Sequence, residues 1–386
     1  MTKATVSAFI VLVLAVFLYI IWGGNLGATF NTRDAPSLVS SNFFVVFDEN
    51  FFKKTISDGS GFYTLTADRV ARFDINGELI WEHQMNLESL TFVHNGSYIA
   101  ASAYRARIFR AFGPRGILHT LTFENDILSY NIAANGYSVI MTQSEGGYNI
   151  DVFNSAGNHI KRRPVEARNL FPMSMDISPD GRILVVSYLD ISGSVILSYI
   201  CAYYIRESDA ANYTDGLFAS FRQLEGEIIS KVRFIDSSSL MYSSDARFGV
   251  YELGPGARFR YRWSKELDNR TVFLEAVNNV GIAVAFGSSL LNREGFAEGT
   301  FIVYGVNGDV LATYNMDGSI THLSVGSEAV VIGGGSLRRS FAAITYRNRV
   351  AWEYTATTDV LDFVILDRPE RALIVTPTRM EIMEVR

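Results

Sequence analysis

The sequence predicts an all-β fold: an eight-bladed β-propeller preceded by one N-terminal transmembrane helix, with seven blades as the alternative if one irregular unit is an insertion. Three observations carry the prediction. Turn signals recur along most of the chain at intervals of about 40–45 residues, the repeat length of propeller blades. A second class of turn, at Asn76-Gly77, Ala156-Gly157 and Asn307-Gly308, falls between them. Residues 4–22 form an unbroken apolar run.

That run, ATVSAFIVLVLAVFLYIIW, holds no charge. As a helix rising ~1.5 Å per residue it would span about 28 Å, close to the hydrocarbon thickness of a bilayer. Tyr19 and Trp22 stand at its far end, where amphipathic rings favour the interface. The run exceeds the ~7–15-residue core of a cleaved signal peptide, and Leu26-Gly27-Ala28 is only a fair cleavage site. An uncleaved anchor over residues 1–25 is therefore expected. Lys3 precedes the run and Arg33 follows it, so the positive-inside rule favours a cytoplasmic N-terminus. The expectation is a single-pass protein of the cell membrane with an extracytoplasmic body. Residues 26–41 read as a short linker, and residues 42–386 as the propeller domain.

Within the body the first class of turn comprises Asp58-Gly59, Asn95-Gly96, Asn135-Gly136, Asp180-Gly181, Asp236-Ser237, Asn278-Asn279, Gly326-Ser327 and Asp367-Arg368-Pro369. Apolar stretches flank them, as residues 173–177 and 183–187 do around Asp180-Gly181. Each pair reads as the inner hairpin of a blade, and the second class of turn supplies the outer hairpin. Asn-Gly suits a two-residue hairpin turn, in which both central residues need φ > 0. The final unit ends after its third strand, at residues 379–385. An extra strand-like segment, residues 42–48 (NFFVVFD), precedes the first unit. An incomplete blade would leave an open edge, so residues 42–48 are expected to supply the missing outer strand and close the ring. Residues 206–227 read as a loop or short excursion, and residues 290–299 as an insertion in the sixth blade. Strand alternation places Leu79 and Trp81 on one face and Ile80 and Glu82 on the other, with Trp81 covering the seam between blades.

Asp74-Ile-Asn-Gly-Glu-Leu-Ile-Trp81 resembles the repeat of quinoprotein-type and WD40-like propellers, in which an acid, a glycine and a tryptophan follow at short spacing. Arg347-Asn-Arg-Val-Ala-Trp352 and Phe259-Arg-Tyr-Arg-Trp263 are weaker copies. The same repeat occurs in non-enzymatic propellers, including outer-membrane assembly scaffolds. A single anchor followed by an eight-bladed propeller also resembles the DUF5711 family of uncharacterised membrane proteins of Firmicutes. The resemblance covers nearly the whole chain and implies a fold; it does not imply a quinone, since function must be argued from a site.

The composition excludes several chemistries. Charged residues are 19% and apolar residues 48% of the 386, which rules out a disordered chain. The lone cysteine, Cys201, rules out a disulfide framework and a CxxC pair, and it lies in an apolar strand as a buried thiol. The quinoprotein resemblance would imply a vicinal disulfide over the cofactor, which one cysteine cannot form. His83, His94, His119, His159 and His322 show no metal-ligand spacing. Gly333-Gly334-Gly335-Ser336 with Arg338-Arg339 is the one stretch able to cradle a phosphate, but no helix pattern follows it and it reads as a hairpin. Arg258-Phe-Arg-Tyr-Arg-Trp263 alternates, with the arginines on the solvated face of an outer strand; apart from Lys3 the chain carries 33 basic against 40 acidic residues, which argues against nucleic acid. No catalytic, cofactor-binding or metal-binding residue is assigned, and no cofactor is expected. The expected partners are the membrane, through residues 4–22, and a protein at the propeller face. The expected function is a membrane-tethered, non-catalytic binding or scaffold module. The rival is a quinoprotein-like or lyase-like enzyme with an active site in the central channel.

Overall fold

Each turn of the first class closes an antiparallel hairpin, and each hairpin grows outward into a four-stranded sheet. The computed structural model describes residues 36–46, 52–85, 90–166, 169–222, 226–254, 258–267, 271–286, 299–335 and 339–385. Among them lie eight four-stranded sheets. Blades 1 to 7 span residues 52–84, 90–122, 127–165, 170–222, 229–266, 271–315 and 320–355, each in simple up-and-down order. Blade 8 takes its three inner strands from residues 362–385 and its outer strand from Leu38–Val46. The strands of a blade are called A to D from the channel outward.

The closing strand pairs antiparallel with Arg379–Val385, from Leu38 opposite Val385 to Val46 opposite Arg379. It begins at Leu38, inside the segment expected to be linker. Because A–B and C–D turns fall at the same end of a blade, this register brings both ends of the propeller chain out on that turn face. The expected transmembrane segment, residues 4–22, lies outside the described residues; among those described, no helix is long and apolar enough to cross a membrane. The expected insertion at residues 290–299 also lies outside them, apart from Gly299.

The core is divided among the seams. Among the described residues the buried apolar side chains form eight clusters, each shared by one pair of neighbouring blades. Both faces of every sheet are therefore buried, which explains why strand B reads as a continuous apolar run rather than an alternating one, as in Ala329–Gly334.

Three local expectations are corrected. The outer turns are three-residue loops, not two-residue ones. Gly77 N donates to Asp74 O at 3.1 Å and Asp74 N to Glu78 O at 2.8 Å, with only the glycine at positive φ (89°). The Asp74 carboxylate accepts the amides of Asn76 and Glu78, both at 2.8 Å, which is why the pattern opens on an acid. Second, residues 206–227 are not all loop. They hold a one-turn helix, Glu207–Ala210, and then the D strand of blade 4, Leu217–Arg222, whose short apolar pattern is masked by the long connection ahead of it. Third, alternation fails on the outer strands. Every C–D ladder in blades 1 to 7 carries one extra residue on strand D: Ile80, Leu118, Ile160, Phe218, Arg262, Leu311 and Ala351. Leu79 and Trp81 thus stand opposite the adjacent residues Phe73 and Arg72, on opposite faces.

Candidate functional sites

The inner strands present an unpaired backbone edge to the channel, and such groups need partners. The side chains there supply them, each reaching to the following blade. Asp362 accepts Thr55 N at 2.6 Å, Ser174 Oγ accepts Val232 N at 3.1 Å, and Asp176 accepts Phe234 N at 2.8 Å. His322 Nε2 donates to Phe363 O at 3.0 Å, Lys231 Nζ to Leu274 O at 3.0 Å, and Asn131 Nδ2 to Met175 O at 3.1 Å. Burial pushes the Asp176 carboxyl above its ordinary range, against the opposing pull of Arg233 and the amides of Phe234 and Ile177. Two bonds span further. Arg233 of blade 5 donates to Asn131 of blade 3 at 2.9 Å, and Asn278 of blade 6 donates to Asn95 of blade 2 at 3.0 Å, bridging opposite sides of the channel at its turn end. Among the described residues no cluster of three His, Cys, Asp or Glu side chains is placed to hold a metal ion.

The seams have a device of their own. The residue after the extra position on strand D donates to a carbonyl of the next blade in five cases. Trp81 reaches Pro114 at 3.1 Å, Lys161 reaches Tyr204 at 3.1 Å, Trp263 reaches Val306 at 2.8 Å and Trp352 reaches Pro369 at 2.7 Å. His119 Nδ1 meets Ser155 O at 3.3 Å, and since a carbonyl only accepts, Nδ1 carries the proton. Burial holds the His119 pKa below its ordinary value, consistent with a neutral ring. The glycine of the facing turn makes room. A Cβ on Gly308 would lie 2.8 Å from the Trp263 ring, and one on Gly157 2.8 Å from His119. Trp81 does lie on a seam, stacked on Phe112 at 5.8 Å, but it is half-buried rather than enclosed.

The other singled-out residues are placed as follows. All five histidines lie on strands. His159 Nε2 bonds Asp151 at 2.7 Å, and that carboxylate also accepts Arg162 at 2.8 Å. His94 sits at the inner edge of blade 2; burial first, then Lys54 and Arg233, lower its pKa to about 3. Gly333 and Gly334 end a B strand, where a Cβ on Gly334 would lie 2.0 Å from Ser319 O; Arg339 pairs with Asp359 at 2.8 Å, and residues 336–338 lie outside the described residues. Arg258, Arg260 and Arg262 are exposed on strand D of blade 5, and Arg262, at the extra position, pairs with Glu252 at 2.9 Å.

Cys201 is the residue whose setting differs most from expectation. It is half-buried, and it lines a cleft of about 340 Å³ between blades 3 and 4. Strand C of blade 4, Leu197–Tyr204, places Tyr199, Cys201 and Tyr203 on the face toward blade 3, while Ile200 and Ala202 pack toward blade 5. From blade 3 the guanidinium of Arg163 lies 3.8 Å over the Tyr203 ring. Tyr188 stands opposite Tyr199 in the ladder, with its hydroxyl 3.5 Å from that of Tyr203. Burial raises the pKa of Tyr188, Tyr203 and Cys201, so the phenols are donors and the thiol is protonated at neutral pH. Sequence reasoning missed this cleft; its only signal was the period-2 Tyr-x-Cys-x-Tyr pattern.

Comparison with known proteins places this geometry. The family described as a family of unknown function, DUF5711, matches residues 48–385. No curated protein matches the sequence. The crystal structure of BamB from Moraxella catarrhalis superposes with a TM-score of 0.53 at 13% identity, covering 90% of this chain and 99% of that one. The Cps50 (Swd1) β-propeller domain from Myceliophteria thermophila gives a TM-score of 0.44 at 8% identity, covering 90% and 99%. At such identities the likeness to BamB is one of fold.

Proposed function

The chain belongs to the DUF5711 family, and we propose that it acts as a membrane-tethered, extracytoplasmic propeller that binds a protein partner and does not catalyse a reaction. The observation that carries this reading is the use made of the channel. The side chains a channel enzyme would need are already bonded to the backbone of the next blade. The face opposite the A–B and C–D turns offers a docking surface. It carries the six-residue connection 191–196, with Ile191, Val195 and Ile196 exposed, together with exposed Tyr104. Tethering raises the local concentration of the propeller for membrane-bound partners.

Crosslinking in intact membranes, followed by affinity capture and identification of what is joined, tests the reading. The expected result is a reproducible partner whose crosslinks map to residues 191–196 and their neighbours. Carbonate extraction of the same membranes should leave the protein in the pellet, and external protease should digest the body. A soluble, shortened form would remove the anchor from the proposal, and protection of the body from protease would reverse the orientation.

A further inference from the structure

We infer that the cleft between blades 3 and 4 is a binding site for a small planar anion: an aromatic or conjugated body bearing one carboxylate or sulfonate. This inference stands apart from the anchor and from any protein partner.

The volume, about 340 Å³, lies at the small end of the range for ligand pockets. The walls are built for a flat body. Tyr199, Cys201 and Tyr203 project from one strand face, so their side chains stand in a row along it. The charge comes from Arg163. Its guanidinium is held over the Tyr203 ring at 3.8 Å, which fixes the plane of the fork before any ligand arrives. A planar guanidinium presents paired N–H donors to a carboxylate or sulfonate, and the Tyr188 hydroxyl, which accepts from Tyr203, adds a neutral donor beside it. Two carboxylates also border the cleft. Glu166 is exposed at the rim, and Asp190 turns into its own loop, accepting Ser192 N at 2.9 Å. Arg163 is the one cation among the lining residues, and the two carboxylates stand at the rim and at the Asp190–Ser192 loop. The connection 191–196 begins directly at Asp190 and is tied to the neighbouring segment by Ile191 N donating to Asn169 O at 2.9 Å, which places its exposed apolar residues beside the opening.

Cys201 is the chain's lone cysteine, so its modification reports on this cleft alone. The probe is 8-anilinonaphthalene-1-sulfonate, whose fluorescence rises in apolar surroundings, titrated into the folded protein well below its melting temperature. The expected result is saturable binding at one site per chain, with at least a fivefold slowing of Cys201 labelling by methyl methanethiosulfonate at saturation. Benzenesulfonate should displace the probe at lower concentration than the cation benzamidine. Arg163→Gln should weaken probe binding at least tenfold while Arg258→Gln, exposed on blade 5, leaves it within threefold. Unchanged Cys201 labelling would place the probe elsewhere and overturn the assignment. Stronger displacement by benzamidine would overturn the anion preference, and this competition needs no variant to fold.

Discussion

Trp352 offers the sharpest test of the seams as the source of stability. It is 0% exposed, stacks on Phe363 across the blade 7–8 seam at 5.0 Å, and donates its indole N–H to Pro369 O at 2.7 Å. A fully buried tryptophan hides ~150–250 Å², which at ~25 cal/mol per Å² is about 4–6 kcal/mol of transfer free energy. Measured truncations of buried aromatics cost ~3–5 kcal/mol, and leaving the Pro369 carbonyl unpaired adds ~1–3 kcal/mol. Trp352→Ala should therefore destabilise by about 5 kcal/mol. Trp81 occupies the equivalent position on blade 1, but half-buried and with a longer 3.1 Å bond, so Trp81→Ala should cost only about 2–3 kcal/mol. Trp352→Phe keeps a ring against Phe363 and loses the donor; about 1–2 kcal/mol is expected. Urea unfolding followed by far-ultraviolet circular dichroism gives all three values without relying on indole fluorescence. The reasoning fails if Trp352→Ala costs no more than Trp81→Ala, or if Trp352→Phe costs as much as Trp352→Ala. A quinone-like absorbance in the wild-type protein, lost in Trp81→Ala, would instead point back to the enzyme reading.

Gly308→Ala should cost about 3 kcal/mol, because it strains a φ of 87° and drives a Cβ to 2.8 Å from Trp263. Gly59→Ala, at φ 79° with open space around it, should cost about 1 kcal/mol, and equal melting temperatures for the pair would show that the glycine clearance is unimportant. His94, held down to about 3, binds a proton in the unfolded chain that the fold rejects. Its contribution is fully present above pH ~6.5 and is lost as pH falls toward 3, by about 2–3 kcal/mol between pH 7 and 4.5, while the raised Asp176 acts with the opposite sign. Urea midpoints at those two pH values should converge in His94→Gln relative to wild type; parallel behaviour would mean that His94 is not the group responsible. Deleting residues 371–386 removes two strands of blade 8 and strips Leu38–Val46 of its partner. The product should aggregate or unfold without cooperativity, and a sharp near-native melt would show that closure adds little.

The blade count and the closing strand were legible because both follow from chain-local signals. Turn residues such as Asp58-Gly59 and Asn135-Gly136 mark hairpins, and a missing fourth strand at the C-terminus matches a surplus one at the N-terminus. The extra residues on the outer strands were not legible. Nothing in Leu79-Ile80-Trp81 distinguishes a continuous strand from one with an inserted residue, since the difference lies in its pairing with Arg72 and Phe73. The cleft was illegible for a related reason. Arg163 and Tyr203 meet across two blades, and no period within either strand announces the other. The channel residues were visible as scattered polar positions, but their use as caps on the next strand's open edge appears only once the blades stand side by side.

Closure by the first strand also sets a clock. Leu38–Val46 leaves the ribosome before any blade, yet its partner, Arg379–Val385, is synthesised only after blades 1 to 7. At ~5–20 residues per second the intervening ~340 residues take about 20–70 s to make. Blades 1 to 7 are each complete from contiguous sequence and can form in order during that interval. Throughout it, blade 1 and the most recently completed blade each expose an apolar face with no neighbour, and the first strand waits unpaired. Such edges recruit other chains. A nascent chain therefore spends most of its synthesis open to chaperones, or to exchange of its first strand with another copy, and only the final residues end that exposure.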